Sequence, residues 1–226
     1  MISKLPRWVE YGTFLLALNA GFINAVGLLG FKHQSVSHLS GTATLLGTRA
    51  MSAGFNDLLY LFGVLFSFVM GAAISGYFLR GEALKLGRNY SALLCLEATF
   101  LFGASYLLIG DFSYGIYLAS AACGLQNALA TTYSGAVVRT THVTGIFTDL
   151  GIMLGAVLRG DPFDKRRALL FSLIVLGFIL GGTLGAFGFA NLAFYSLLIP
   201  AGVCLFLALF YSVYVKVISL SQLKPR

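Results

Sequence analysis

Charged residues are scarce in this chain. They make up 10% of its 226 residues, whereas hydrophobic residues make up 58% and the mean hydropathy is +0.87. A soluble domain carries about 25% charged residues, so the composition predicts an integral membrane protein in contact with the lipid bilayer. The formal net charge is +7, but the cations lie at the ends of apolar runs. There they indicate membrane orientation and not a nucleic-acid partner.

Cysteines and catalytic motifs are also rare. Cys95, Cys123 and Cys204 lie inside apolar stretches, without the spacing of a disulfide framework or a zinc site. The sequence contains no nucleophile elbow, phosphate-binding loop, dinucleotide fingerprint or metalloprotease helix. We therefore expect a protein that is not an enzyme and that uses no metal or cofactor.

Long apolar runs dominate what is present. A membrane-spanning helix needs about 20 mostly apolar residues. Six segments have this length and composition: roughly 9–30, 58–79, 91–110, 114–136, 168–190 and 192–215. Two further segments, 39–54 and 143–158, are shorter and richer in Gly, Ser and Thr. The sequence therefore predicts an all-α polytopic membrane protein in a single domain, residues 1–226.

Two phrases occur twice. Residues 37–41 read Ser-His-Leu-Ser-Gly and residues 141–145 read Thr-His-Val-Thr-Gly; upstream of them, 21–26 (Gly-Phe-Ile-Asn-Ala-Val) match 124–129 (Gly-Leu-Gln-Asn-Ala-Leu). Doubled halves with polar residues in the membrane are typical of transporter folds. We therefore predict two structural repeats, each with three long helices and one short or re-entrant helix. The repeats cover residues 9–110 and 111–215.

The cations bear on whether the short helices cross the membrane. If both cross, eight spans result and the 15 Lys and Arg residues divide 10 to 5 between the two sides; if both are re-entrant, six spans result and the division is 13 to 2. The positive-inside rule favours six spans, both termini in the cytoplasm and inverted repeats. An eight-helix variant stays open. The cations that change sides between the two counts are Arg49, Arg80, Lys85, Arg88 and Arg139, whereas Lys32 stays on the side opposite the N-terminus in both.

The repeated phrases place hydroxyl groups and a glycine at the start of a helix. The first N–H groups of a helix lack intrahelical partners, and with the helix dipole they can hold a polar or anionic solute. The Ser and Thr residues can instead be N-caps, and the glycines can allow close helix packing. The two equivalent histidines can hydrogen-bond a solute or carry protons. The candidate solute-binding residues in these phrases are His38, Ser40, Gly41, Thr42, His142, Thr144 and Gly145.

Three amides extend this candidate site. Asn24 and Asn127 occupy equivalent positions within predicted spans, and Gln126 adds polarity to the second copy only. An amide inside a membrane helix needs a partner. It can join two helices, bind the unwound start of the neighbouring short helix, or line a solute path. We include all three residues in the predicted binding site.

Two acids are candidates for proton or ion coupling. Glu97 lies near the middle of a predicted span, where a carboxylate is costly unless it is paired or faces water. Asp149 lies in the second short segment, at the position where the first copy has Leu45. The alternatives are a structural hydrogen bond for Glu97 and a favourable interaction with the helix dipole for Asp149. Arg139 is a further possible partner of Asp149.

Through these phrases the chain resembles the YoaK-type family of bacterial membrane proteins, over nearly its whole length. The family's second half has Gly-x-Gln-Asn-Ala followed by Thr-x-x-Thr-Gly, which this chain matches at 124–128 and 141–145. In the first half Asn24 stands where an acid is common, and Ser-Gly-Thr at 40–42 replaces Thr-Gly-Asn. The resemblance implies a bacterial inner-membrane protein and supplies no substrate. If that acid carries coupling in relatives, this chain lacks it or uses Glu97 instead.

Together these observations predict a multi-pass transporter of a small polar or anionic solute, with proton coupling as an open question. The solute is expected near the midplane, between the starts of the two short helices. A passive channel and a non-transporting membrane scaffold or sensor stay open as alternatives. The small-residue pairs Gly71–Ser75 and Gly181–Gly185 are candidates for packing between helices or between the subunits of a homodimer.

Overall fold

The protein is helical throughout the part described by a computed structural model, residues 8–30, 35–52, 54–79, 89–136 and 138–222. These residues form eight α-helices and one 3-10 helix, and no strand lies among them. The 3-10 helix, Ala193–Leu197, joins the last two α-helices. The α-helices are α1 (Trp8–Gly30), α2 (Leu39–Arg49), α3 (Phe55–Phe78), α4 (Asn89–Ile109), α5 (Gly115–Tyr133), α6 (Val143–Leu158), α7 (Lys165–Leu192) and α8 (Leu198–Gln222).

The prediction of an α-helical membrane protein is confirmed, because every predicted long segment coincides with a helix. Four stretches are long and apolar enough to span a membrane: α1, α3, α4 and the continuous stretch Lys165–Lys216, which contains α7 and most of α8. Helix α5 is not among them, since polar residues such as Ser120 and Gln126 interrupt its apolar sequence. Thirteen of its residues are nevertheless buried in the protein, so α5 forms the centre of the fold.

The two short helices lie where they were predicted, with one difference. Helix α6 has the predicted bounds, whereas α2 ends at Arg49, five residues before the predicted end at 54, and a turn leads into α3. At 1.5 Å per residue, α2 is roughly 16 Å long and α6 roughly 24 Å. Both lengths fall short of the ~30 Å hydrocarbon core of a bilayer.

Glycines set the two tightest helix pairs. Helix α1 lies along α7, and α3 lies along α5. A Cβ atom on Gly21 would overlap the carbonyl oxygen of Phe178, and one on Gly124 would overlap that of Phe68. Gly181 and Gly71 face Leu18 and Ala121 from the opposite helices in the same way. The small-residue pairs of α3 and α7 therefore pack helices within one chain, which is the usual role of such residues in membranes.

Helices α1, α4, α5 and α8 enclose the middle of the molecule. Helix α4 packs closely on both α5 and α8, whereas α1 has a smaller contact with α5 and only a slight one with α8. Two separate clusters of apolar side chains fill this space, one toward the start of α1 and one toward its end. The gap between α1 and α8 is the site of the cleft described below.

Eight of the 15 cations on which the predicted topology depends lie outside the described residues: Lys4, Arg7, Lys32, Arg80, Lys85, Arg88, Lys224 and Arg226. The number of crossings and the side on which the termini lie therefore stay predictions.

Candidate functional site

A buried polar cluster lies where the four central helices meet. Asn19 of α1, Glu97 of α4, Gln126 of α5 and Cys204 of α8 contribute one side chain each, and each is at most 1% exposed. Thr140, which is also fully buried, joins from the segment before α6. We call these five residues the polar cluster. Buried polar groups far from water need hydrogen-bond partners, so the bonds within the cluster define what it can bind.

Asn19 is the common donor of the cluster. Its Nδ2 atom lies 3.5 Å from Glu97 Oε1, 3.3 Å from Gln126 Oε1 and 3.2 Å from Cys204 Sγ. Three acceptors therefore share the two hydrogens of one amide. The Cys204 thiol also lies next to the carboxyl group of Glu97.

Gln126 connects the cluster to the backbone. Its Nε2 atom donates to the carbonyl oxygen of Leu16 at 2.8 Å and to Thr140 Oγ1 at 3.4 Å. Both hydrogens of this amide are therefore in use. Glu97 Oε2, in contrast, is buried and has no hydrogen-bond partner among the described residues. The cluster thus contains an unused acceptor and no unused amide donor.

An apolar cleft leads toward the polar cluster from the side where α1 begins. It has a volume of about 440 Å³ and is lined by all four central helices. Its aromatic rings follow one another around the opening, with centroid separations of 5.4 Å between Trp8 and Tyr133, 5.5 Å between Tyr90 and Tyr133, and 5.7 Å between Tyr90 and Tyr211. Tyr214 lies 6.0 Å from Trp8 and completes this aromatic rim.

A layer of four leucines separates the cleft from the polar cluster. Each central helix contributes one leucine that lines the cleft and lies three residues from a member of the cluster. Residues three apart lie on the same face of a helix, so the leucines cover the cluster one turn above it. The pairs are Leu16 with Asn19, Leu94 with Glu97, Leu129 with Gln126, and Leu207 with Cys204.

The opposite side of the polar cluster is filled by tightly packed apolar residues. Beyond the cluster, about one turn away on α4, two turns on α1 and three turns on α5, the side chains of Leu101, Val26 and Ile116 are all completely buried in one continuous core. We call this core the sealed layer. The site is therefore approached from one side by an open cleft and is closed on the other side by close packing.

The first repeated phrase forms a separate structure around Asn24. Its Oδ1 atom accepts hydrogen bonds from Ser37 N at 3.1 Å, from Ser37 Oγ at 2.8 Å and from Ser35 Oγ. This is the predicted alternative in which Asn24 binds the unwound start of the short helix. The N-cap of α2 is His38 and not a Ser or Thr, and it makes no side-chain cap bond.

The histidines and glycines of the two phrases adopt matching conformations. His38 has φ −88° and ψ 67°, and His142, the N-cap of α6, has φ −90° and ψ 52°. Each imidazole lies over the glycine three residues later, where a Cβ on Gly41 or Gly145 would overlap the ring. These two glycines therefore make room for a histidine ring.

The hydroxyl groups of the phrases point in different directions. Ser40 and Thr144 are exposed, and their carbonyl oxygens accept bonds from Thr44 and Thr148 one turn later. Thr42 is buried and donates to the carbonyl oxygen of His38 at 3.3 Å. Both histidines are exposed as well. The phrases therefore lie at the surface of the protein.

Asn127 and Asp149 lie in surroundings that differ from those predicted for them. Asn127 Oδ1 is buried without a hydrogen-bond partner among the described residues, unlike Asn24. Asp149 is 41% exposed and forms an ion pair with Arg167 of α7 at 3.6 Å, whose side chain is 42% exposed. Arg167, and not Arg139, is the cation that meets Asp149.

The structure thus brings together only part of the predicted site. Glu97 and Gln126 meet in the polar cluster, whereas the two phrases lie with their short helices, α2 against α3 and α6 against α7. Asn19 and Cys204 were not predicted. An asparagine within the first apolar span was a usable signal for Asn19, since an amide there needs a partner. A single cysteine gives no such signal.

Comparison with known proteins places the chain in a family and adds no function. No curated protein and no solved structure matches the chain. A family model described as "Protein of unknown function (DUF1275)" matches residues 12–210, and the YoaK-type resemblance is consistent with it. Because this match covers most of the sequence, the chain belongs to the DUF1275 family of proteins.

Proposed function

We propose that this protein is a membrane carrier that moves a small solute between the cleft and the opposite side by way of the polar cluster. The observation that carries the proposal is the layered arrangement of the four central helices. A cleft, a leucine layer, a buried polar cluster and a sealed layer follow one another in that order. A carrier needs such a site, which is open to one side at a time.

Alternating access is supported by the way in which the two halves of the chain pack. Helix α1 of the first half lies along α7 of the second, and α5 of the second half lies along α3 of the first. The glycine contacts of these two pairs involve corresponding residues, Gly21 with Phe178 and Gly124 with Phe68. We propose that residues 9–110 and 111–215 are inverted repeats that rock against each other. Six spans, cytoplasmic termini and a bacterial inner membrane belong to the same proposal.

Glu97 is the proposed coupling residue. It is fully buried, its described hydrogen-bond partner is the Asn19 amide, and the thiols of Cys123 and Cys204 lie near it, so none of these neighbours is a cation. A carboxyl group in such surroundings is much less costly to bury when it is neutral or when a cation binds to it. Uptake and release of a proton by Glu97 would therefore accompany the exposure of the cluster to either side. Asp149, which lies at the surface in an ion pair, has a weaker claim to this role.

The two phrases have a proposed role at the surface. The first N–H groups of the helices that start after His38 and His142 would contact a polar solute at the surface, together with Ser40, Thr42 and Thr144. Asn127, whose side-chain oxygen has no hydrogen-bond partner among the described residues, would contact the solute. Asn24 instead binds Ser35 and Ser37, in the segment before α2. These roles rest on the positions of the residues and are secondary to the polar cluster.

A passive channel is the second candidate, and the sealed layer argues against it. A channel needs a continuous polar path, whereas Val26, Leu101 and Ile116 are completely buried on one side of the cluster. A scaffold or sensor, with or without a homodimer, would have no need of a buried carboxyl group at the end of a cleft. We therefore favour a carrier, and not an enzyme.

Site-specific labelling tests the carrier proposal without knowledge of the solute. In a variant without native cysteines, Thr13→Cys would place a thiol in the cleft and Val26→Cys would place one in the sealed layer. In oriented vesicles, a membrane-impermeant thiol reagent should label position 13 from one side and position 26 from the other. Since a minor conformation is populated at roughly 0.1–10%, position 26 should react about 10 to 1,000 times more slowly.

One control and two contrary outcomes complete this experiment. The control is Val69→Cys, because Val69 lies on an exposed face of α3. Its labelling rate shows how fast the reagent reaches a thiol on the outer surface of the protein in the bilayer. Reaction of positions 13 and 26 from the same side would indicate a one-sided pocket or a channel. No reaction at position 26 under any solute or pH gradient would indicate a static scaffold.

A further inference from the structure

No described hydrogen-bond donor of the polar cluster reaches Glu97 Oε2. Two amides supply its N–H groups: Asn19 Nδ2 is shared by three acceptors, and both hydrogens of Gln126 Nε2 are in use. Glu97 Oε2 is buried without a partner. A ligand that completes this cluster must therefore donate a hydrogen bond, and a positive charge on it would offset the buried carboxylate.

The cleft adds a second requirement, an apolar body. Its walls are aliphatic and aromatic, and none of the described residues that line it is charged. Electron-rich rings such as those of Trp8, Tyr90 and Tyr133 attract organic cations as well as apolar groups. An anionic solute would find the Glu97 carboxyl group at the end of this path and no described cation. This argues against the anion that the sequence suggested.

The distance between the rim and the cluster gives the length of the ligand. Tyr90 and Glu97 are seven residues apart on α4, and Tyr133 and Gln126 are seven residues apart on α5. Both spacings correspond to roughly 10 Å along a helix axis. A ligand that contacts both levels therefore has its charged group about 10 Å from its apolar end.

We propose that the solute is an amphiphilic organic amine, whose ammonium group donates to Glu97 Oε2 while its apolar end lies against the aromatic rim. This rests on the proposed carrier function and names its substrate class. The four leucines must move aside for the ammonium group to enter. A proton and the ammonium group would compete for the same oxygen, with Asn19, Gln126, Cys123 and Cys204 as the neighbouring polar groups. Such competition produces exchange of amine for proton.

A matched series of probes tests the proposal. The probes are 4-phenylbutylamine, its N,N,N-trimethyl derivative, 4-phenylbutanol and 4-phenylbutanoate, which share one apolar body. Trp8 is the only tryptophan and lines the cleft, so its fluorescence in lipid nanodiscs reports binding. We expect the amine to bind at least tenfold more tightly than the alcohol and than the trimethyl derivative, which has no N–H group. The carboxylate should not bind measurably.

Variants separate the two parts of the site. Glu97→Gln should remove the tenfold preference of the amine over the alcohol, because both can still donate to the Gln oxygen but the charge that favours the ammonium group is gone, whereas Asp149→Asn should leave the preference intact. Gly12→Leu fills the cleft, where a Cβ meets nothing closer than the Trp8 ring at 3.9 Å, and should weaken binding of every probe. Gly76→Leu, on an open face of α3, is its control. Equal affinity for all four probes would overturn the proposal and indicate a groove for lipid tails.

The failure of this proposal can be told apart from the failure of the carrier function. Binding of the amine at equilibrium requires no transport, and two-sided labelling of positions 13 and 26 requires no amine. Amine binding without two-sided labelling would support the proposed ligand class and contradict the carrier function. Two-sided labelling with no preference for the amine would support the carrier function and contradict the proposed ligand class.

Discussion

The two sides of the central helix group differ, although the proposed repeats would make them equivalent. If α1 corresponds to α5 and α4 to α8, then the contact of α4 with α5 corresponds to that of α8 with α1. Helix α4 packs closely on α5, whereas α8 and α1 scarcely touch and the cleft opens between them. The glycine-mediated pairs, α1 with α7 and α3 with α5, are alike in both halves. The difference at the centre is therefore what creates an opening.

A matched pair of glycine substitutions should show this difference most strongly. Gly115 begins α5, and a Cβ there would lie 2.8 Å from the carbonyl oxygen of Ala104 on the packed side. Gly115→Leu should therefore destabilise the protein by about 3 kcal/mol or more. Gly12→Leu on the open side should change stability by less than about 1 kcal/mol. Thermal unfolding followed by size-exclusion chromatography measures both. A similar loss for the two variants would mean that the cleft is closed in the membrane.

The leucine layer provides the second test. Leu94→Ala removes a side chain between the cleft and Cys204, and should accelerate labelling of Cys204 by a membrane-permeant maleimide about tenfold. The background is Cys95→Ala with Cys123→Ala, which leaves Cys204 as the single thiol. Leu101→Ala, in the sealed layer on the same helix, is the control.

Both leucine substitutions should lower stability by about 2–5 kcal/mol, so stability alone does not separate them. The labelling rate does, because of these two leucines Leu94 lies between Cys204 and the cleft and Leu101 does not. If Leu101→Ala accelerated labelling as much as Leu94→Ala, the reagent would reach Cys204 by general loosening of the helices. The leucine layer would then have no special role.

The helices and two members of the polar cluster could be predicted from the sequence. Hydrophobic length identifies helices because the bilayer sets it, and Glu97 and Gln126 are noticeable because polar residues in membrane helices are costly. Asn19 has Ala122 at the matching position of the second half, so the repeat gave no reason to single it out. The cleft depends on α1 packing on α7 and not on its neighbours in sequence. Local sequence carries little information about such distant pairings.

The third prediction compares the two equivalent asparagines. Asn24→Ala removes the acceptor of three hydrogen bonds from Ser35 and Ser37 and should cost about 1–3 kcal/mol. Asn127→Ala removes an unused acceptor and should change stability by less than about 0.5 kcal/mol. Unfolding in a denaturing detergent measures the difference. Equal losses would show that Asn127 also has a structural partner, and its proposed solute contact would lose its support.

The smallest expected effects come from the two ion pairs of α7. Glu10 and Arg166 join α1 to α7 at 3.1 Å, with side chains 17% and 31% exposed, whereas Asp149 and Arg167 are 3.6 Å apart and more exposed. Exposed pairs contribute roughly 0–1 kcal/mol, so Glu10→Gln should lower stability by about 0.5–1 kcal/mol and Asp149→Asn by less. Since Glu10 holds the start of α1, which forms one wall of the cleft, only Glu10→Gln should also alter Trp8 fluorescence. A larger loss of stability from Asp149→Asn, or any change in amine binding, would return Asp149 to the coupling role that its position in the second short helix first suggested.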